Sequence, residues 1–330
     1  MSATVSPDRI LKELSQLWTS MGKEGQAESG AGVLRACSMT LIVLAEESDD
    51  QSSLGETVAA LMPEHPARTV NIRLCGKGER ALSERVYAQC WMPFGQRRQI
   101  CCEQVEITVA DQGLADLPSV VLPLAVADLP VVLWCRAARL FGMAEFRQIA
   151  SMARKVILDT SGMPDPKDAL RRLGAASEGG AVLGDLAWTR LTRWREMLSQ
   201  VFENRQRLAQ LPGIERVRVS YGGTYETGAR YLAAWIRGAL EGAAAPQIEV
   251  APATEDSTLR VEIEGKDLRV TLIRHDETLV VTIDDVSHHT SLPQPTDYLL
   301  MREELGIMRR DPVFERALAS AARLAYPTDK

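Results

Sequence analysis

The sequence predicts an α/β protein. An N-terminal domain carries a mixed, largely parallel sheet covered by helices, and a C-terminal α+β domain carries an antiparallel meander. Continuously apolar runs such as 131–135 alternate with helical patterns in the first half, as in sheets covered on both faces. Alternating apolar and polar residues dominate 260–285. A segment rich in Gly and Pro, Gly162 to Pro166, separates the two patterns, and 330 residues are too many for one ordinary core.

Residues 1–32 are predicted to form an N-terminal helix and a linker. Ser6 can cap a helix that begins at Pro7, and apolar residues recur at helical spacing up to Met21. The next stretch, 22–32, is rich in Gly, Ala and Ser, which is typical of a linker. The apolar face of this helix needs a surface to pack on, either its own domain or a partner.

The N-terminal α/β domain is predicted to span 33–163. Two of its strands, 85–92 and 99–109, are expected to pair across a turn near Pro93. The other strands are predicted at 37–45, 68–75, 131–135 and 156–160, and the helices at 52–62, 113–127 and 143–152.

The C-terminal α+β domain is predicted to span 164–330. Asp185 is a suitable cap for a long helix over 185–208, and three strands separated by turn residues form the meander. These strands are predicted at 260–265, 268–274 and 279–285, a further strand at 217–220, and other helices at 166–173, 224–240, 296–308 and 312–324.

The charge and hydropathy of the chain argue against several classes of protein. Lys plus Arg number 38 and Asp plus Glu number 44, and the net charge of −6 disfavours a general nucleic-acid binder. No uninterrupted apolar stretch near the N-terminus suits a secretory signal. The most apolar stretch, 119–135, is broken by Pro123, Asp128 and Pro130, so it does not suit a membrane helix. We therefore expect a cytoplasmic protein that binds neither membranes nor nucleic acid.

No motif for catalysis, a cofactor or a metal stands out. The segment Tyr221-Gly222-Gly223-Thr224 leads from a strand into a helix, so its N–H groups could face a phosphate. It matches neither nucleotide-binding glycine motif, and a tight connection without a ligand is the simpler interpretation. His288 and His289 follow Asp284 and Asp285, and these four side chains could hold a metal, although a polar loop is the simpler interpretation. The sequence therefore predicts a protein with no enzymatic activity, cofactor or metal site.

All six cysteines lie in the first 135 residues, without C-x-x-C or zinc spacing. Buried reduced thiols explain them, and a redox switch is the alternative, with Cys90, Cys101 and Cys102 as its candidates. Adjacent side chains on a strand point to opposite faces, so a bond between Cys101 and Cys102 is not expected. Cys90, on the predicted partner strand, is the better partner for either.

Two segments combine residue types that often anchor protein interfaces. The 185–208 helix carries Trp188, Arg190, Trp194 and Arg195, which form either a recognition surface or a wide apolar face flanked by solvated arginines. His65-Pro66-Ala67-Arg68 lies between a helix and a strand, where it forms either a structural corner or a contact for an anion or a partner.

Four segments occur together in one order over roughly residues 34–240. They are 64–68 (EHPAR), 100–104 (ICCEQ), 129–134 (LPVVLW) and 185–191 (DLAWTRL), the last followed by Trp194 and Arg195. In this combination the chain resembles the OpcA family, the glucose-6-phosphate dehydrogenase assembly proteins of cyanobacteria and actinobacteria.

The resemblance implies an assembly factor rather than an enzyme. Members bind glucose-6-phosphate dehydrogenase and promote its active oligomer, which controls entry into the oxidative pentose phosphate pathway. We therefore expect an allosteric activator that contacts the dehydrogenase through His65, Arg68, Trp134, Trp188, Arg190, Trp194 and Arg195. Trp194 also fits the core stripe of its helix. Relatives in photosynthetic cells are associated with thioredoxin-linked regulation, so the resemblance adds thioredoxin as a second partner, acting near Cys101 and Cys102.

Two other functions remain open. Strand ends of the sheet could bind a sugar phosphate, which would make the chain a sensor or a pathway enzyme such as a lactonase, with Arg68 and the Gly222-Gly223 turn in the site. The N-terminal helix could instead serve a scaffold for other partners.

Overall fold

The computed structural model describes residues 5–28, 33–76, 82–93, 95, 98–254 and 258–325. The chain divides into two compact units, Met1–Leu158 (unit 1) and Asp159–Lys330 (unit 2). This division lies a few residues before the boundary at 163/164 that the sequence predicts. Within the described residues, no helix combines the length and apolar character needed to cross a bilayer.

Unit 1 contains a mixed, largely parallel sheet, as predicted. Its strands lie in the order β1-β5-β3-β2-β6-β7, all neighbours being parallel, and β4 pairs with β5 in antiparallel register. The strands are β1 (Val33–Arg35), β2 (Met39–Glu46), β3 (Ala67–Leu74), β4 (Leu82–Trp91), β5 (Gln99–Val109), β6 (Val131–Cys135) and β7 (Lys155–Leu158). The helices are α1 (Pro7–Glu28), α2 (Gln51–Leu61), α3 (Leu117–Val121) and α4 (Ala144–Met152). Nearly every residue of β2 and β6 is buried, which explains their continuously apolar sequences.

The prediction that a linker begins at residue 22 is wrong, because α1 continues to Glu28. Good helix formers such as Lys23 and Gln26 outweigh the glycines of this stretch. Residues 29–32 of the predicted linker lie outside the described residues. The buried Ile10 and Leu14 hold α1 against unit 1, so this helix packs on its own domain.

Unit 2 combines helices with the predicted antiparallel meander. Its six-stranded sheet has the order β10-β9-β11-β12-β13-β14, parallel between β10 and β9 and antiparallel elsewhere. The six strands of this sheet are β9 (Ile214–Tyr221), β10 (Gln247–Pro252), β11 (Leu259–Gly265), β12 (Arg269–His275), β13 (Thr278–Ile283) and β14 (Val286–Ser291). The short strand β8 (Leu183–Asp185) is not part of it. The helices are α5 (Pro166–Glu178), α6 (Leu186–Thr189), α7 (Thr192–Val201), α8 (Arg205–Gln210), α9 (Glu226–Leu240), α10 (Asp297–Gly306) and α11 (Pro312–Ala325).

The predicted long helix over 185–208 is three helices, α6, α7 and α8. Asp185 caps the first, as predicted, since its side chain accepts a hydrogen bond from the Ala187 N–H. Asn204 caps the third by accepting from the N–H groups of Gln206 and Arg207. Because a capping side chain competes with continuation of the preceding helix, Asn204 marks a break that the apolar spacing conceals.

The prediction of a polar loop after β13 is also wrong. His288 and His289 lie in β14, where they stand opposite Val281 and Val280 of β13. All six residues of β14 are exposed, so this edge strand lacks the apolar alternation that identifies β11 to β13.

Candidate functional site

A buried carboxylate organises the polar centre of unit 1. β3 and β5 are adjacent and parallel, with Thr69 opposite Gln104, so the preceding residues Arg68 and Glu103 share one face of the sheet. The Arg68 Nε donates to Glu103 Oε2 at 2.5 Å. The Glu103 Oε1 accepts from the Trp18 Nε1 at 2.5 Å and pairs with the Arg35 guanidinium at 2.9 Å. Side chains from α1, β1 and β3 therefore all bind the Glu103 carboxylate.

Arg68 is buried within this cluster. Besides Glu103, its guanidinium donates to the main-chain oxygen of Leu124 at 3.0 Å. Two of its five N–H donors are therefore used inside unit 1 and the side chain is buried, and a partner contact through Arg68 stays a prediction. His65, three residues earlier, is half-buried.

Trp134 lies in the core of unit 1. Its side chain is fully buried on β6, and the Arg136 guanidinium stacks 5.2 Å from the ring centroid. In this conformation Trp134 has no surface to offer a partner. Its large apolar area instead stabilises the sheet.

Cys90 and Cys101 stand directly opposite each other on β4 and β5 and are joined by a disulfide. The predicted pairing of these strands is therefore confirmed. Cys102 is a buried free thiol, and burial raises its pKa to about 11. A thiol with this pKa is almost fully protonated at neutral pH and is a poor nucleophile.

Asp185 is the buried polar centre of unit 2. Its carboxylate accepts hydrogen bonds from the N–H and the hydroxyl of Thr160 at 3.1 and 2.6 Å, from the Ala187 N–H at 2.9 Å, and from the Tyr231 hydroxyl at 2.8 Å. Burial raises the pKa of Asp185 to about 6, and the hydrogen bonds from Thr160 offset only part of this effect.

An aromatic cluster packs beside Asp185. The rings of Trp188, Tyr231 and Phe314 lie 5.7 to 5.9 Å apart between centroids. Arg195 stacks on the Trp188 ring, with its guanidinium carbon 3.6 Å from the ring centroid, and donates to the Trp188 main-chain oxygen. Burial lowers the pKa of Arg195 to about 10, so the side chain stays cationic at neutral pH. Trp188 and Trp194 are both buried, and the interpretation of Trp194 as a core residue agrees with its position.

Arg190 is held by a two-point ion pair. Its Nη1 and Nη2 donate to the two oxygens of Asp159 at 2.8 and 2.6 Å, and Nη1 also reaches the Ser161 hydroxyl at 3.2 Å. Although burial by itself raises the pKa of Asp159, the bonds and charge of Arg190 outweigh it and hold that pKa below its usual range. Of the seven predicted contacts, His65, Arg190 and Arg195 are the half-buried ones.

Sequence reasoning missed Arg274. Val270, Leu272 and Arg274 occupy the buried face of β12, so a cation stands where the alternation calls for an apolar residue. This break in the apolar alternation of β12 is the sequence signal that could have identified Arg274. The Arg274 Nε donates to the main-chain oxygen of Asp276 at 2.7 Å, and its Nη1 lies 3.4 Å from the Tyr225 hydroxyl. Among the described residues no carboxylate pairs with it.

A small cavity of about 240 Å³ lies beside Arg274 in unit 2. Its wall includes Thr224 and Tyr225, which follow the Gly222-Gly223 turn, and Gly223 has a φ of 53°. Such a backbone conformation favours glycine. The residues that follow the turn therefore line this cavity.

A larger open groove of about 1040 Å³ runs along α9 and α11. Arg237, Arg316 and Arg323 line it as exposed side chains, together with the half-buried Trp235. Within the part of the chain that the structure describes, none of these arginines has a hydrogen-bond or ion-pair partner. Elsewhere in that part of the chain, no group of three His, Cys, Asp or Glu side chains could hold a metal ion.

Two family models match the chain, one for each half. The model described as the glucose-6-phosphate dehydrogenase subunit N-terminal domain matches residues 58–175, and that of the C-terminal domain matches residues 181–318. Both are OpcA models, which confirms the resemblance that the sequence segments indicate.

Curated relatives carry the same family name. An OxPP cycle protein OpcA of Nostoc punctiforme is 29% identical over 142 residues, covering 43% of this chain and 30% of that protein. Its counterpart in Synechocystis is 24% identical over 194 residues, covering 58% and 40%. The alignments thus span well under half the length of these relatives.

Similarity to solved structures is remote. A 3-ketoreductase from Actinomadura kijaniata is 14% identical with a TM-score of 0.46, covering 87% of this chain and 96% of that one. An NAD-binding oxidoreductase from Klebsiella pneumoniae is 10% identical with a TM-score of 0.47, covering 88% and 95%. Similarity this weak carries no functional implication.

Proposed function

The chain belongs to the OpcA family of glucose-6-phosphate dehydrogenase subunits, and from this premise we propose that it binds glucose-6-phosphate dehydrogenase and promotes its active oligomer. The observation that carries the proposal is that the models of both subunit domains match this chain in order, over residues 58–175 and 181–318. The relatives named for the OxPP cycle support a role in the oxidative pentose phosphate pathway. A subunit of this kind needs no catalytic machinery of its own.

Activation then follows from differential binding. A helper that binds the active oligomer more tightly than the inactive form shifts the equilibrium between them by the ratio of the two affinities. A difference of about 1.4 kcal/mol shifts it about tenfold, and a few well-buried interface residues can supply that difference.

The α9–α11 groove is the surface we assign to the dehydrogenase. Arginine and tryptophan are the residues that most often dominate binding energy, and here Arg237, Arg316 and Trp235 face one open groove. Arg237, Arg316 and Arg323 have no carboxylate partners among the described residues and outnumber Glu241, the carboxylate that also lines the groove, which favours an acidic segment as the occupant. By contrast, Trp134 and Trp188 are buried and would support binding only through the stability of their units.

Redox control through unit 1 stays part of the proposal. A disulfide between Cys90 and Cys101 can be reduced by a dithiol such as thioredoxin, whose two thiols are oxidised to a disulfide while Cys90 and Cys101 return to thiols. We expect the chain in the cytoplasm, where that exchange would set the fraction of molecules that carry the Cys90–Cys101 disulfide.

The test mixes the purified chain with glucose-6-phosphate dehydrogenase from the same cell. NADP reduction and the size of the enzyme oligomer are followed with and without the chain. We expect co-elution, a larger oligomer and higher activity, and Arg316→Glu should weaken binding at least tenfold. Arg193→Glu is the matched control, because Arg193 is 75% exposed and lies on α7 outside the groove.

The outcomes distinguish the assembly role from the assignment of the groove as the binding surface. No co-elution and no change in activity, with both proteins folded, contradicts the assembly role. Binding that Arg316→Glu leaves intact contradicts the groove but not the role. Equal losses in Arg316→Glu and Arg193→Glu point to a general charge effect and likewise contradict the groove.

A further inference from the structure

The cavity beside Arg274 lies within unit 2 and is closed on one side by apolar groups. Trp194, Leu259 and Leu292 line that side, and all three are buried. Thr224 and Gln294 are exposed and stand at the open side. The cavity therefore has a protected floor and an accessible mouth, as small-molecule sites have.

No carboxylate among the described residues compensates the charge of Arg274. The residue is 9% exposed, and its only hydrogen-bond partners in the described chain are a main-chain oxygen and a hydroxyl. A buried cation without a counter-charge is costly, and such groups are paired or bind a ligand in most proteins. The cavity beside Arg274 offers the place where an anion can supply that counter-charge.

The surrounding polar groups suit an anion that also carries hydroxyl groups. The Tyr225 hydroxyl accepts from the Gln294 Nε2 at 2.9 Å and lies 3.4 Å from Arg274, which leaves its own proton available to a ligand. Arg190, a second cation in the wall, is already neutralised by Asp159. The site therefore holds one net positive charge, from Arg274, with hydroxyl and amide groups around it.

We propose that this cavity binds a small phosphate monoester, with its phosphate on Arg274 and Tyr225 and a hydroxylated organic part toward Thr224 and Gln294. A volume of about 240 Å³ accommodates a sugar phosphate but is smaller than typical sites for larger ligands. The proposal does not depend on binding to a dehydrogenase. It adds a metabolite site to a chain whose family name describes only a subunit.

The experiment is calorimetric titration of the full chain with inorganic phosphate, glucose 6-phosphate, uncharged glucose and ATP. We expect glucose 6-phosphate to bind more tightly than inorganic phosphate, ATP to bind more weakly than glucose 6-phosphate, and glucose not to bind. Arg274→Met should weaken binding about tenfold to a hundredfold, because it removes a charge-assisted hydrogen bond. Arg269→Met is the matched control, since Arg269 is exposed on the opposite face of the same strand.

A thermal melt of each variant keeps the result interpretable. Removing an uncompensated buried charge should leave the melting temperature of Arg274→Met unchanged or higher, whereas a purely structural arginine would lower it. Should that variant not fold, Tyr225→Phe, which deletes only a hydroxyl, must still weaken glucose 6-phosphate binding several-fold. The proposal is overturned if wild type binds neither phosphate compound at millimolar concentration, or if ATP binds as well as glucose 6-phosphate. Full affinity in folded Arg274→Met, or an equal loss in Arg269→Met, also overturns it.

Discussion

Arg68 in unit 1 and Arg274 in unit 2 are both buried cations, with 8% and 9% of their surfaces exposed. Arg68 meets the Glu103 carboxylate at 2.5 Å, and the same carboxylate also binds Trp18 and Arg35. Arg274 meets only neutral groups among the described residues and borders a cavity. Two equally buried arginines can therefore have different roles. Arg68 is paired within unit 1 and contributes to its stability, whereas Arg274 has no carboxylate partner among the described residues and is available to a ligand.

The largest effect is expected when Glu103, the counter-charge of Arg68, is replaced. Glu103→Ala should lower the free energy of unfolding by about 3–5 kcal/mol, because it leaves Arg68 buried without a counter-charge. Urea unfolding followed by circular dichroism measures this change. Glu196→Ala, in a pair whose carboxylate is 46% exposed, is the control and should cost less than about 1 kcal/mol. If the two variants lose equal stability, the Glu103 pair does not brace unit 1.

Unit 1 also differs from unit 2 in its covalent cross-link. Replacing both Cys90 and Cys101 with serine should cost about 3 kcal/mol, the entropy expected for a closed loop with a sequence separation of 11. Hydrogen exchange read by mass spectrometry should show faster exchange in β4 and β5 while α9 and β12 keep their protection. Dithiothreitol should reproduce the effect in wild type and change nothing in the double variant. Uniform loss of protection across both units would contradict a local role.

The buried carboxylates of the two units should respond differently to pH. The folded-state pKa of Asp185 is about 6 against an ordinary value of 3.8, so the folded state retains the proton between these values and the unfolded state does not. The stability of unit 2 that this proton supplies is complete below pH 3.8 and is lost as the pH rises through about 6. The loss should amount to about 3 kcal/mol.

The measurement is urea unfolding of wild type and Asp185→Asn at pH 4.5 and 7.5, with hydrogen exchange to assign the change to unit 2. Wild type should lose stability relative to the variant as the pH rises. Asp159, whose pKa is lowered, loses its contribution only below the ordinary range of Asp and does not obscure this window. Parallel pH profiles for the two proteins would contradict the assignment.

The smallest effect concerns Arg195, a half-buried cation that rests on the Trp188 ring at 3.6 Å. Arg195→Gln should cost about 1 kcal/mol, the value of a partly desolvated cation–π contact. Arg195→Lys should recover part of the loss, since it restores the cation but not the planar stacking. Thermal melts of the three proteins rank them, and a glutamine variant as stable as wild type would show that the stacking contributes nothing.

The sequence predicted correctly those strands whose hydrophobic pattern alone determines the structure. The apolar run of β6 and the alternation of β11 to β13 each report burial directly, and the structure contains these strands at the expected places. Competing signals caused the errors. Glycines in α1 suggested a linker although their neighbours favour helix, and Asn204 interrupts an apolar stripe that otherwise reads as continuous.

The candidate site was harder to predict because its partners are distant in sequence. Trp188 and Trp194 were selected as residue types found in interfaces, but whether a tryptophan faces solvent depends on packing against elements such as α11. The pairing of Arg68 with Glu103 joins residues 35 positions apart, which no local pattern encodes. The sequence places Arg274 at a position of β12 where the alternation calls for an apolar residue. Its role, however, depends on a cavity that Tyr225 and Trp194 help to form.

The bond from Trp18 to Glu103 has a practical consequence for work at the bench. Trimming away the first thirty residues looks like a clean way to ask whether α1 recruits other proteins. Such a cut would strip Ile10 and Leu14 from the core and take one donor away from the carboxylate that also restrains Arg68. The shortened chain would then fail in pull-downs for reasons unrelated to recognition. Truncation at this end is a folding experiment before it is a binding experiment.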